Sequence, residues 1–206
     1  MMSRTHLAVG IASSLAASLF VFQPQSLSDV MISFAGGALG GVFADVDTVS
    51  HDKKHQALVS QLLGLLALGI AAALDWSMRL GVCEFVAGPN RAPSLFAGAV
   101  IVFLYLYGLI TPHRTFTHSM IAMALFSGCF FLIYTRLGFG VLAGYASHLV
   151  LDLLTKKEIH LFHPLKKGFC LRLFYADKAA DKFFMRLGIL ASLGLTAYRL
   201  YPYIVP

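Results

Sequence analysis

The chain has 206 residues, of which 58% are hydrophobic and 13% charged. A soluble domain carries about 25% charged residues. An ordinary soluble protein is therefore excluded, and the expectation is an all-α, polytopic membrane helix bundle in a single integral domain, 1–206. The net charge of +6 reads as a topology signal and as contact with membrane lipids, not as a nucleic-acid surface.

A helix that crosses a bilayer needs about 20 apolar residues. Segments that approach this length lie at roughly 7–22, 30–44, 57–74, 95–110, 119–135, 137–154 and 184–201, which predicts about six or seven transmembrane helices. The first contains small residues, as a signal peptide does, but Arg4 alone makes a weak basic leader. "QPQSLSD" (23–29) reads as a short polar turn, and "DWSMRLGVCEFVAGPNRAP" (75–93) as a longer outer loop without histidine. Residues 155–183 are basic and amphipathic. There "FHPLKKGFCLRLF" interleaves aromatic and Leu side chains with Lys and Arg, which suits a cytoplasmic or interfacial segment on an anionic leaflet. Cys83, Cys129 and Cys170 have no CxxC spacing and read as lone thiols.

Orientation follows from charge. With the N-terminus in the cytoplasm, the inner segments 1–6, 45–56, 111–118 and 155–183 hold eleven Lys and Arg, and the outer segments hold four. That is the bias of the positive-inside rule. The same alternation brings all eight histidines (His6, His51, His55, His113, His118, His148, His160 and His163) to or near the inner side. Histidine took no part in the charge count, so this sorting is a separate regularity.

Four stretches carry the chemistry. In "GYASHLVLDLLT" (144–155), His148 and Asp152 are four residues apart on one helix face. Ionisable groups inside a span are costly and mark functional candidates. An imidazole and a carboxylate on successive turns can approach one metal ion; a structural hydrogen-bonded pair is the alternative. In "ADVDTVSHDKKH" (44–55), Asp45 and Asp47 repel each other unless a cation compensates. Ser50, His51 and His55 follow, and rank lower because loop histidines beside lysines are often only surface residues. In "HRTFTHS" (113–119), His113 and His118 are five residues apart. There Thr115 or Thr117 could cap the next helix, and Arg114 could clamp a substrate anion or merely anchor topology. In "SRTHLAVG" (3–10), His6 stands at the first turn of the first span.

Together these stretches gather histidines and aspartates at one face, and make a metal centre the best single reading. Oxygen and imidazole donors suit Zn, Mn or Mg. A divalent ion there could activate water and polarise a phosphoryl or acyl oxygen. Asp45 or Asp47 would orient or deprotonate the water. Two other classes stay open: a metal-ion transporter or sensor using the same ligands, and a non-catalytic membrane protein with a structural His/Asp network.

The order His6, "DVD" with Ser50, "HRTFTHS" and "GYASHLVLDLLT" resembles the DUF457 family, membrane-bound proteins classed as metal-dependent hydrolases. The likeness runs to about residue 165. It implies a multi-pass protein of the bacterial inner membrane and a hydrolase acting at its cytoplasmic face on a phosphoester or lipid-like substrate. The His-x-x-x-Asp element is also similar to one in zinc-dependent phospholipases C. On that likeness His148 and Asp152 ligate metal, Asp45, Asp47, His113 and His118 add ligands, His6 completes the site, and Zn is the first expectation. Ala44 and Val46 depart from the family's Pro-Asp-Ile-Asp but keep both carboxylates. His160 and His163 fall outside the pattern and are left out of the first rank.

Overall fold

The computed structural model describes residues 1–22, 26–50, 54–176 and 178–204. Its helices are α1 (Ser3–Val21), α2 (Leu27–Phe43), α3 (Lys54–Met78), α4 (Val82–Ala87), α5 (Arg91–Ile110), α6 (Met120–Ile133), α7 (Thr135–Leu153) and α8 (Ala179–Ile204). Short 3-10 turns, Ala44–Ser50 and Phe116–His118, join α2 to α3 and α5 to α6. The protein is an all-helical, polytopic bundle, and among the described residues there is no strand. All seven expected spans appear as helices. Five helical stretches are long and apolar enough to cross a membrane. Of the other two, α6 has only 14 residues, and α7 carries the polar pair His148 and Asp152.

Three helices, α1, α2 and α7, form the centre. Between membrane helices the hydrophobic effect gives no net drive, so close van der Waals packing of small residues must hold them. "AGGALGG" (35–41) on α2 supplies that surface on two sides. A Cβ at Gly144 of α7 would lie 2.6 Å from the Gly37 carbonyl oxygen, and one at Gly41 would lie 2.5 Å from the His6 carbonyl oxygen. Both neighbours are backbone, so only glycine permits this approach. Beside the glycines, Leu39, Phe126, Val141 and Tyr145 fill a buried core. Outward-facing Leu62, Leu65, Phe103 and Leu106 are exposed, as lipid-facing residues of a span are.

Local signals set the helix ends. Ser26 and Asp29 form a capping box at the start of α2. The α6 cap is Ser119, whose hydroxyl accepts from the Ala122 N–H at 3.2 Å. The expected caps Thr115 and Thr117 are used elsewhere: Thr115 donates to the Pro112 carbonyl and Thr117 to Asp47. The expected outer loop 75–93 is also largely helical. Asp75 accepts the N–H groups of Val82 and Cys83 (3.1 and 2.8 Å) and so caps α4 from a neighbouring helix.

Alternating helices bring the beginnings of α1, α6 and α8 and the ends of α2, α5 and α7 to one end of the bundle. At the other end, Arg136 pairs with Asp29 and Arg199 donates to Ser18. Residues 154–176 return across the first end as an irregular strap. It is pinned by bridges between Thr155 and Phe174 and between Ile159 and Phe169. The expected amphipathic stretch 155–183 therefore splits, because α8 already begins at Ala179.

Candidate metal centre

The seven donors reach the centre from four parts of the chain. His6 comes from the first turns of α1. Asp45 and Asp47 lie in the 3-10 turn that ends α2. His113 and His118 flank the α5–α6 connection, and His148 and Asp152 occupy the last turns of α7. His6, Asp47, His118, His148 and Asp152 are buried, Asp45 is 5% exposed, and the His113 side chain is 31% exposed at the edge. Three overlapping groups could hold an ion: His6, His148 and Asp152; Asp45, His118 and His148; and Asp47, His113 and His118. All seven residues proposed as ligands from the sequence thus meet in space.

Hydrogen bonds orient the rings. The Nδ1–H of His148 donates to the Gly41 carbonyl at 2.8 Å, which leaves its Nε2 as an acceptor facing inward. His118 turns Nδ1 to Asp47 Oδ2 at 3.3 Å, so its Nε2 also faces inward. The two Nε2 atoms stand 3.3 Å apart. Two lone pairs cannot face each other at that distance without a proton or a cation between them. His6 stacks on His148 with ring centroids 3.6 Å apart. Neither ring nitrogen of His6 has a hydrogen-bond partner, although both are buried.

The carboxylates divide the work. Asp47 accepts from the Arg114 backbone N–H (2.9 Å) and the Thr117 hydroxyl (2.7 Å), and meets His113 Nδ1 at 2.8 Å. It lies beside His118 Nδ1, and with His113 and His118 makes one of the three groups that could hold an ion. Asp45 accepts from Ser3 Oγ at 2.6 Å through Oδ2. Its Oδ1 faces His148 Nε2 at 3.7 Å and His118 Nε2 at 3.9 Å. Asp152 Oδ1 meets the Met1 amine (2.5 Å), Arg114 Nη2 (3.0 Å) and His6 Nε2 (3.4 Å). Its Oδ2 faces His118 Nε2 at 3.2 Å and His148 Nε2 at 3.8 Å.

These separations test the fit to a metal. Around a tetrahedral ion bound at ~2.0–2.1 Å, ligand atoms sit about 3.3 Å apart. His118 Nε2 and His148 Nε2 lie 3.3 Å from each other, 3.7–3.9 Å from Asp45 Oδ1 and 3.2–3.8 Å from Asp152 Oδ2. The donors of Asp45, His118 and His148, and those of His6, His148 and Asp152, therefore fit a divalent ion. Charge agrees with geometry. At His118, in the connection outside the spans, burial opposes the cationic ring, yet Asp47 and Asp152 outweigh it and push its pKa up to about 9. The pocket attracts positive charge.

A family model described as the YdjM inner membrane protein matches residues 1–202. The chain belongs to the YdjM inner membrane protein family. Neither a curated protein nor a solved structure matches it. Family membership and the apolar helices agree on an inner-membrane protein, so the cluster is a polar site built at one end of membrane-embedded helices.

Several expectations about this site change. Arg114, read as an anion clamp, is itself buried. Its guanidinium binds Asp152, the Thr155 hydroxyl (3.2 Å) and the Lys157 carbonyl (2.7 Å). His55 is exposed at the start of α3. His160 and His163 belong to the strap. The His160 N–H donates to the Arg114 carbonyl at 3.0 Å, and the His163 ring contacts Phe116. His51 and the side chain of Ser50 lie outside the described residues. Sequence reasoning missed Ser3, Thr117 as an Asp47 ligand, and Asp181. Asp181 accepts from the Met2 N–H and the Thr5 hydroxyl, both at 3.0 Å, and fastens the first turn of α1 beneath His6. Hydroxyls beside each donor motif were the available signal.

Proposed function

We propose that this protein is a metal-dependent hydrolase at the cytoplasmic face of the inner membrane. In this reading the N-terminus is cytoplasmic, and the substrate is a phosphoester or lipid-like molecule. The observation that carries the reading is the pair of inward imidazole nitrogens, His118 and His148, flanked by Asp45 and Asp152. His6, Asp45, His118, His148 and Asp152 would hold the ion, with Asp47 and His113 orienting the set from behind. Zn suits this donor mixture first, with Mn or Mg as the other choices. Such an ion would supply Lewis-acid polarisation of a phosphoryl oxygen and make water acidic near neutral pH.

The chain's own groups do the rest. Asp45 would take the proton of the attacking water, because its Oδ1 faces the imidazoles while Ser3 holds its other oxygen. Asp47 keeps His118 Nδ1 engaged, so Nε2 stays turned inward. Arg114 braces Asp152 and ties it to the strap. An apolar cavity of about 320 Å³ lies beside α2, α3, α4 and α6 and does not include the cluster. Transport is less well supported, since among the described residues the three ion-holding groups share one end. The test is phosphate-diester cleavage by Zn-loaded protein, measured with bis(4-nitrophenyl) phosphate and with phospholipid vesicles. Activity above background that is lost in Asp45→Asn supports the reading. Fully metallated protein that cleaves none of them overturns it.

A further inference from the structure

The strap 154–176 has an unusual outer surface. Leu171, Leu173 and Tyr175 lie along an irregular stretch and are 55, 59 and 54% exposed. Between the last two, Phe174 turns inward against the Phe184 ring of α8. At the end of this stretch, Lys156 Nζ lies 3.8 Å and Lys178 Nζ 4.7 Å from the centroid of the same Tyr175 ring. Two ammonium groups are thus held over one ring, although like charges repel. Lys156 follows α7 directly. Lys178 precedes the apolar span that begins at Ala179, so the pair sits at headgroup depth.

We infer that Lys156, Lys178 and Tyr175 form a seat for the phosphate of an anionic phospholipid, with Leu171 and Leu173 against its acyl region. A phosphate between the lysines removes their repulsion. Tyrosine favours the interface, where its ring is apolar and its hydroxyl wet. Exposed Leu beside clustered Lys matches a surface that is apolar and anionic together, which is what an anionic leaflet offers. Water satisfies only the lysines, and a zwitterionic leaflet only the leucines. This inference is independent of the metal centre.

Native mass spectrometry of the detergent-purified chain, titrated with phosphatidylglycerol or phosphatidylcholine, tests the seat. A lysine near an anionic surface contributes about fivefold in affinity, so the pair contributes about 25-fold. The chain is expected to prefer phosphatidylglycerol. Lys156→Gln/Lys178→Gln should lose that preference, while Lys156→Arg/Lys178→Arg keeps it and shows that the fold survives changes at both positions. Equal binding of the two lipids, or a preference retained in the Gln variant, would overturn the inference. Displacement of phosphatidylglycerol by equimolar inorganic phosphate would also overturn it, by showing a simple anion site without lipid recognition.

Discussion

The Nδ1–H of His148 donates to the carbonyl of Gly41 at 2.8 Å. One glycine of α2 thereby sets the direction of the central imidazole of the cluster. The same Gly41 lets α1 pass close enough to place His6 on that ring, since a Cβ there would lie 2.5 Å from the His6 carbonyl oxygen. Helix packing and site geometry are one device. Gly41→Ala should destabilise the protein by about 1–3 kcal/mol through forced separation of backbones and should lower bound metal in parallel. Gly69→Ala, where nothing lies within 4 Å of the added carbon, should change neither. Thermal unfolding in detergent, with metal content on the same samples, checks both.

Asp47 is expected to act through His118. Asp47→Asn would keep the shape but disturb acceptors used by Arg114, Thr117 and His113. Loss of an orienting partner behind a ligand weakens metal affinity by about 10–100-fold. Competition with a calibrated zinc chelator measures this. Unchanged affinity would remove Asp47 from the orienting role.

Arg114→Lys should not rescue Arg114→Ala. The guanidinium reaches Asp152, Thr155 and Lys157 at once, a fork that a single ammonium cannot reproduce. Breaking a buried ion pair costs about 3–5 kcal/mol, so both variants should lose stability, with the Ala variant worse. An anion clamp would instead show normal stability and a raised KM.

His55→Ala, His160→Ala and His163→Ala should each leave bound metal unchanged. His55 is exposed, and the other two lie on the strap, outside the three ion-holding groups. A loss in any one, seen by elemental analysis, would extend the proposed site beyond the seven residues that the three groups contain.

The sequence carried the donor types and the end of the bundle where they gather, because a buried His or Asp in a span is too costly to be incidental. His6, His148 and Asp152 were legible for that reason, and Asp45 and His118 because they stand directly at span ends. The division of labour was not. Asp45 and Asp47 are alike as residues, and only three-dimensional neighbours make one face inward and the other lie behind a ring. Arg114 was read as an anion clamp or a topology anchor, and its contacts with Asp152, Thr155 and Lys157 could not be told from its local sequence. The helix α4 escaped notice because its cap, Asp75, belongs to another helix. The role of "AGGALGG" went unread because small residues in a span also suit a plain lipid-facing helix.

The most direct test is elemental analysis of the detergent-purified protein beside His148→Ala/Asp152→Ala, both grown with Zn, Mn and Mg. The account predicts stoichiometric transition metal in the parent and none in the variant, with both inserted in the membrane. Parent protein free of metal after supplementation, or a variant with full occupancy, would contradict it.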